Sequence, residues 1–86
     1  MGEILITFIK QSSAYKLKKL AKISQISAKV VQTPKELAQG GCSYAVLAKR
    51  TDTAKLMKLC NDYGIGYRKV LAVYVDMKGK KVYSEL

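Results

Sequence analysis

The feature that most restricts the fold of this chain is the order in which two hydrophobic periods alternate along it. Glu3 to Lys10 reads EILITFIK, a β-branched and aromatic run without helix-period gaps, as expected of a central strand buried on both faces. Gln11-Ser12-Ser13 then offers a hydroxyl N-cap. Ala14, Leu17, Leu20, Ala21 and Ser24 follow at helical spacing, while Lys16, Lys18, Lys19 and Lys22 take the other side. Ile26 to Gln32 forms a second, partly polar strand that stops before Pro34, which cannot donate to a ladder. Thr33-Pro34-Lys35-Glu36 has a capping-box pattern and predicts a short helical turn, ended at Gly40-Gly41 where positive φ is available.

Ser43 to Lys49 is a third, largely apolar strand. Thr51-Asp52-Thr53 caps a second helix, whose stripe of Leu56, Met57, Leu59, Cys60 and Tyr63 stops at Gly64. Tyr67 to Val75 is the last strand of the main pattern, and after the turn-like segment Asp76 to Lys80 the residues Lys81 to Ser84 fold back as a short edge hairpin. This βαββαβ order predicts one α+β domain over residues 1–86, a ferredoxin-like sandwich with a four-stranded antiparallel sheet and two helices on one face. The first and third strands are expected at the centre, the second and fourth at the edges. The expected core contains Ile6, Phe8, Leu17, Leu20, Val46, Leu56, Cys60 and Val73.

Composition removes several function classes. Histidine is absent, which takes away the usual general base and the commonest metal ligand. The two cysteines form no CxxC pair, so neither metal nor a dithiol redox centre is expected, and no cofactor is indicated. The six acidic residues are scattered without a carboxylate pair. No GxxxxGK[ST] or GxGxxG spacing surrounds Gly40-Gly41. Apolar runs fall far short of the ~20 residues a membrane span requires, and no basic-then-apolar leader is visible, so a cytoplasmic, reducing location without membrane association is expected.

One residue stands out for chemistry. Cys42 follows the Gly40-Gly41 bend and precedes Ser43, a setting in which converging backbone amides and the nearby Lys35 favour a thiolate. Lys49, Arg50, Arg68 and Lys69 are further candidate flanking cations. The structural alternative for Cys42 is a small apolar filler at the entrance of the third strand. Cys60 lies on the apolar helical stripe and is expected in the core.

The net charge of +10 and six tyrosines raise a second class, a basic nucleic-acid-binding module. The third strand, GGCSYAVLAK, offers Tyr44 as its single aromatic and lacks the aromatic run of RNA-recognition domains. Weak, nonspecific binding through charge is what remains. A third class is a structural or regulatory interaction domain, with edge strands pairing in a homodimer.

The stretch TPKELAQGGCSYAVLAKR, with Ser12-Ser13 at the preceding helix start, resembles the small bacterial family of selenium/sulfur carrier-like proteins. That family typically shows Thr-Pro-Arg, a short linker, Cys-Gly and an apolar strand closed by a basic residue. Thr33-Pro34-Lys35 matches with Lys for Arg, Cys42 falls on the family cysteine, and Ser43 stands where glycine is usual. The resemblance spans about Ile4 to Val75. It implies a noncatalytic carrier in which Cys42 accepts sulfur or selenium as a persulfide or selenopersulfide. The implied donor is a pyridoxal-phosphate desulfurase or a selenocysteine lyase.

Overall fold

A computed structural model describes residues 2–38, 41 and 43–86. The apolar run after Gly2 forms β1 (Glu3–Phe8), followed by α1 (Gln11–Ile23), β2 (Ala28–Gln32), a 3₁₀ turn at Lys35–Leu37, β3 (Tyr44–Lys49), a second 3₁₀ turn at Arg50–Asp52, α2 (Thr53–Asp62), β4 (Lys69–Val75) and β5 (Lys81–Glu85). The sheet has five strands in the order β2-β3-β1-β4-β5, with every neighbouring pair antiparallel.

The expected α+β class is found, and β1 and β3 are interior as expected. The fold-back expected over Lys81 to Ser84 is β5, so the sheet has five strands where the main pattern gave four, and β4 is interior rather than an edge because β5 pairs along its outer side. The turn between them explains this. The Asp76 Oδ1 accepts hydrogen bonds from the Lys78 and Lys80 amides at 2.9 Å each, and Gly79 takes φ +78°, a conformation with little penalty for glycine.

β1 alternates between two apolar layers, which is why its sequence shows no polar face. Ile4, Ile6 and Phe8 join Leu17, Ala21, Val46, Leu56 and Cys60 in the main core under both helices. Leu5 joins Ala45, Leu71 and Val73 on the other side of the sheet, where Leu37 and Tyr83 also pack. Thr7, two residues after Leu5 and so on its side of the strand, is buried, and its hydroxyl accepts a hydrogen bond from the Lys69 amide at 3.1 Å. Of the expected core, Leu20 is partly buried and the rest are buried.

Three capping expectations are corrected. α1 begins at Gln11 with Lys10 as the flanking residue and no side-chain cap, so Ser12 and Ser13 lie inside the first turn. Pro34 (φ −53°, ψ 145°) flanks the first 3₁₀ turn, and no side chain caps it. Pro34 stays extended, so the turn starts at Lys35, one residue later than the capping box requires, and Thr33 extends the β2–β3 ladder, its amide donating to the Ser43 carbonyl at 3.0 Å. At α2 the flanking residue is Asp52, again without a side-chain cap, while the Thr53 hydroxyl donates to the Arg50 carbonyl at 2.6 Å. Tyr63, expected on the core stripe, is 53% exposed. The helix has ended by then, and Gly64 (φ +64°) turns the chain so that Ile65 covers the core instead.

Candidate functional site

The segment between Gln32 and Tyr44, the last pair of the β2–β3 ladder, closes that hairpin at one end of the sheet. It leaves β2 through Thr33, whose side chain is buried with its hydroxyl unpartnered among the described residues. The 3₁₀ turn is closed by the Leu37 amide donating to the Pro34 carbonyl at 2.8 Å, and Leu37 anchors it on the helix-free face of the sheet. Lys35 is exposed on this turn. Gly41 has φ +87° with open space around the position a Cβ would take, the positive φ that the sequence predicts at the bend. The exposed Ser43 donates from its amide to the Gly41 carbonyl at 3.0 Å. Cys42 and Gly40, two of the predicted site residues, lie outside the described residues.

The predicted flanking cations divide. Arg68 and Lys69 share the end of the sheet that holds the loop, because the Arg68 amide donates to the Thr7 carbonyl at 2.7 Å and Lys69 pairs with Thr7 one position before Phe8 meets Tyr44. Lys49 and Arg50 do not. Lys49 pairs with Glu3 and the Arg50 amide donates to Gly2, at the far end of β3, about 17 Å away at a strand's rise per residue. One ion pair occurs among the described residues, Lys69 Nζ to Glu85 Oε2 at 3.9 Å, and both partners are too exposed for it to contribute much.

Cys60 has the opposite setting. It is 2% exposed, packed in the main core, and burial pushes its thiol pKa up, away from nucleophilic chemistry. Tyr44, weighed as a base-stacking residue, packs against the helix-side core. The helix-free face holds the partly buried Tyr83, so the described residues form no aromatic platform there. No three His, Cys, Asp or Glu residues gather into a metal-binding group among the described residues. No described helix is long and apolar enough to cross a membrane.

The comparison with protein families decides what this loop belongs to. The family model described as "Putative Se/S carrier protein-like" matches residues 3–72. The chain belongs to this family. The match covers the Thr33–Ser43 loop with both flanking strands and ends inside β4, so most of the β4–β5 hairpin lies beyond the matched residues. No curated protein matches, and no solved structure matches. Sequence reasoning missed the burial of Thr33, which a capping-box reading conceals, and the exposed pair Ile9 and Tyr67 beside the loop. An apolar residue just beyond each strand end was the available signal for that pair.

Proposed function

We propose that this chain is a noncatalytic carrier that holds sulfur or selenium on Cys42. The observation that carries the reading is the family match over residues 3–72, which includes the Thr33–Ser43 loop. The burial of Cys60 supports it by leaving Cys42 as the remaining thiol of the chain. In the loading step the Cys42 thiolate attacks the outer sulfur of a donor persulfide. One S–S bond forms to Cys42, the donor's own S–S bond breaks, and the donor leaves as a thiolate, so no external oxidant or reductant is consumed. Gly41 shapes the bend through its positive φ, Ser43 offers an adjacent hydroxyl, and Lys35 favours the thiolate. The donor is a pyridoxal-phosphate desulfurase or a selenocysteine lyase, and the reducing cytoplasm suits a single free thiol. The first four strands with α1 and α2 read as a ferredoxin-like sandwich to which β5 is an addition.

Incubation with a cysteine desulfurase and L-cysteine, followed by peptide mass spectrometry, tests the reading. The Cys42 peptide is expected to gain one sulfur and the Cys42→Ser protein none. Equal loading of Cys42→Ser protein would refute it. A second reading, weak nonspecific nucleic-acid binding, is favoured by the exposed Lys16, Lys18, Lys19 and Lys22 of α1, a helix without acidic residues. Its test is a steep fall in RNA affinity with salt.

A further inference from the structure

Two exposed apolar side chains sit at the end of the sheet that carries the Cys42 loop. Ile9 is 54% and Tyr67 47% exposed, and they line one shallow groove with Lys10 and Ser13. The strand register explains why they meet. Thr33 bonds to Ser43 beyond the β2–β3 pairs, Ile9 follows the Phe8–Tyr44 pair, and Tyr67 precedes Arg68, which bonds to Thr7. Thr33, Ser43, Ile9 and Tyr67 therefore follow one another across the sheet end, and Ser43 is the residue bonded to Cys42. Lys10, Lys35, Arg68 and Lys69 are exposed at this end of the sheet, Lys69 in an ion pair with Glu85. Glu36 is the carboxylate of the loop, while Asp62 lines a different groove beside Lys55 and Lys58.

Apolar anchors inside a cationic rim are the anatomy of a protein-docking surface. Accepting sulfur from a small anionic donor gives half-exposed isoleucine and tyrosine nothing to do, whereas transfer from a protein requires a contact surface near the sheet end where Ser43 follows the loop. Resting on the carrier reading, we infer that Ile9 and Tyr67 form the docking surface for the sulfur-donor protein, whose complementary face is an apolar recess with an acidic rim. The cationic residues steer the encounter, and the two apolar side chains slow dissociation.

The test compares two donors on the same carrier, a pyridoxal-phosphate cysteine desulfurase with an acidic surface, supplied with L-cysteine, and inorganic polysulfide. The Ile9→Ser/Tyr67→Ser and Lys10→Glu/Arg68→Glu double variants change exposed residues, and thermal melts check that they stay folded. Loading of Cys42 by the desulfurase is expected to fall about tenfold in each, and in unmodified protein to fall as salt is raised, while loading by polysulfide stays unchanged. Undiminished loading of the variants by the desulfurase overturns the docking surface and leaves the carrier reading standing, as does loading of the unmodified protein by polysulfide alone. If the apolar variant loses RNA affinity while its loading is unchanged, the surface serves nucleic acid and the proposal is overturned. Failure of Cys42 to load from either donor overturns the carrier reading itself, and this proposal with it.

Discussion

Replacing Thr33 by valine is expected to stabilise the protein, an unusual sign for a change at a buried polar residue. The residue is 8% exposed, and its hydroxyl has no partner among the described residues. Burying an unpartnered hydroxyl costs about 1–3 kcal/mol. Valine keeps the β-branched shape that the position before Pro34 favours, and it keeps the amide that donates to the Ser43 carbonyl at 3.0 Å. Removing the hydroxyl, whose oxygen is fully buried, should therefore recover about 1–2 kcal/mol. In a domain of this size each kcal/mol raises the melting temperature by about 4–8 °C. Urea unfolding is the decisive assay, because a pure stability change moves the midpoint and leaves the slope unchanged. Thr33→Ser supplies the contrast, since it retains the hydroxyl and loses a buried methyl, with an expected loss of about 1 kcal/mol. A destabilised Thr33→Val protein would refute the reasoning, because it would mean that the hydroxyl makes a hydrogen bond in the folded state.

Four further outcomes follow from the packing and the turn hydrogen bonds. Cys60→Ser places a hydroxyl in the main core and should cost about 1–3 kcal/mol in urea unfolding. Because burial raises the Cys60 pKa, its thiol ionises more readily in the unfolded chain, so its contribution to stability should be constant below the unfolded value of about 8.5 and fall as pH rises past it. Cys60→Ala should lack that part of the alkaline loss when the two proteins are titrated side by side. Phe8→Ala removes a fully buried ring from the row facing the helices and should cost about 3–5 kcal/mol by thermal or chemical melting. Asp76→Ala deletes the acceptor of two turn amides and should cost about 1 kcal/mol, with hydrogen exchange increasing in β5 before it does in β1.

The order and type of the main elements were legible in the sequence, because a strand and a helix each bury one side and so write their period into the chain. EILITFIK announced a strand covered on both faces, and β1 is that strand, with Ile4, Ile6 and Phe8 turned to one layer and Leu5 to the other. The lysines of α1 and the stripe of Ala14, Leu17 and Ala21 marked which side of that helix meets the sheet. The choice of Cys42 over Cys60 came from local surroundings, of which the apolar helical stripe around Cys60 is now seen in the core. What local pattern could not supply was anything set by partners distant in sequence. Thr33 satisfied a capping box on paper, yet Pro34 stays extended and the turn begins only at Lys35, which leaves Thr33 to bond across the hairpin to Ser43. Lys49 and Arg50 are close to the loop along the chain, yet β3 carries them the length of a strand from Tyr44, whereas Arg68 and Lys69 arrive from a distant segment at the sheet end where Tyr44 pairs with Phe8. That redistribution follows from antiparallel register, which joins residues whose numbers sum to a constant, and only the folded sheet reveals that constant.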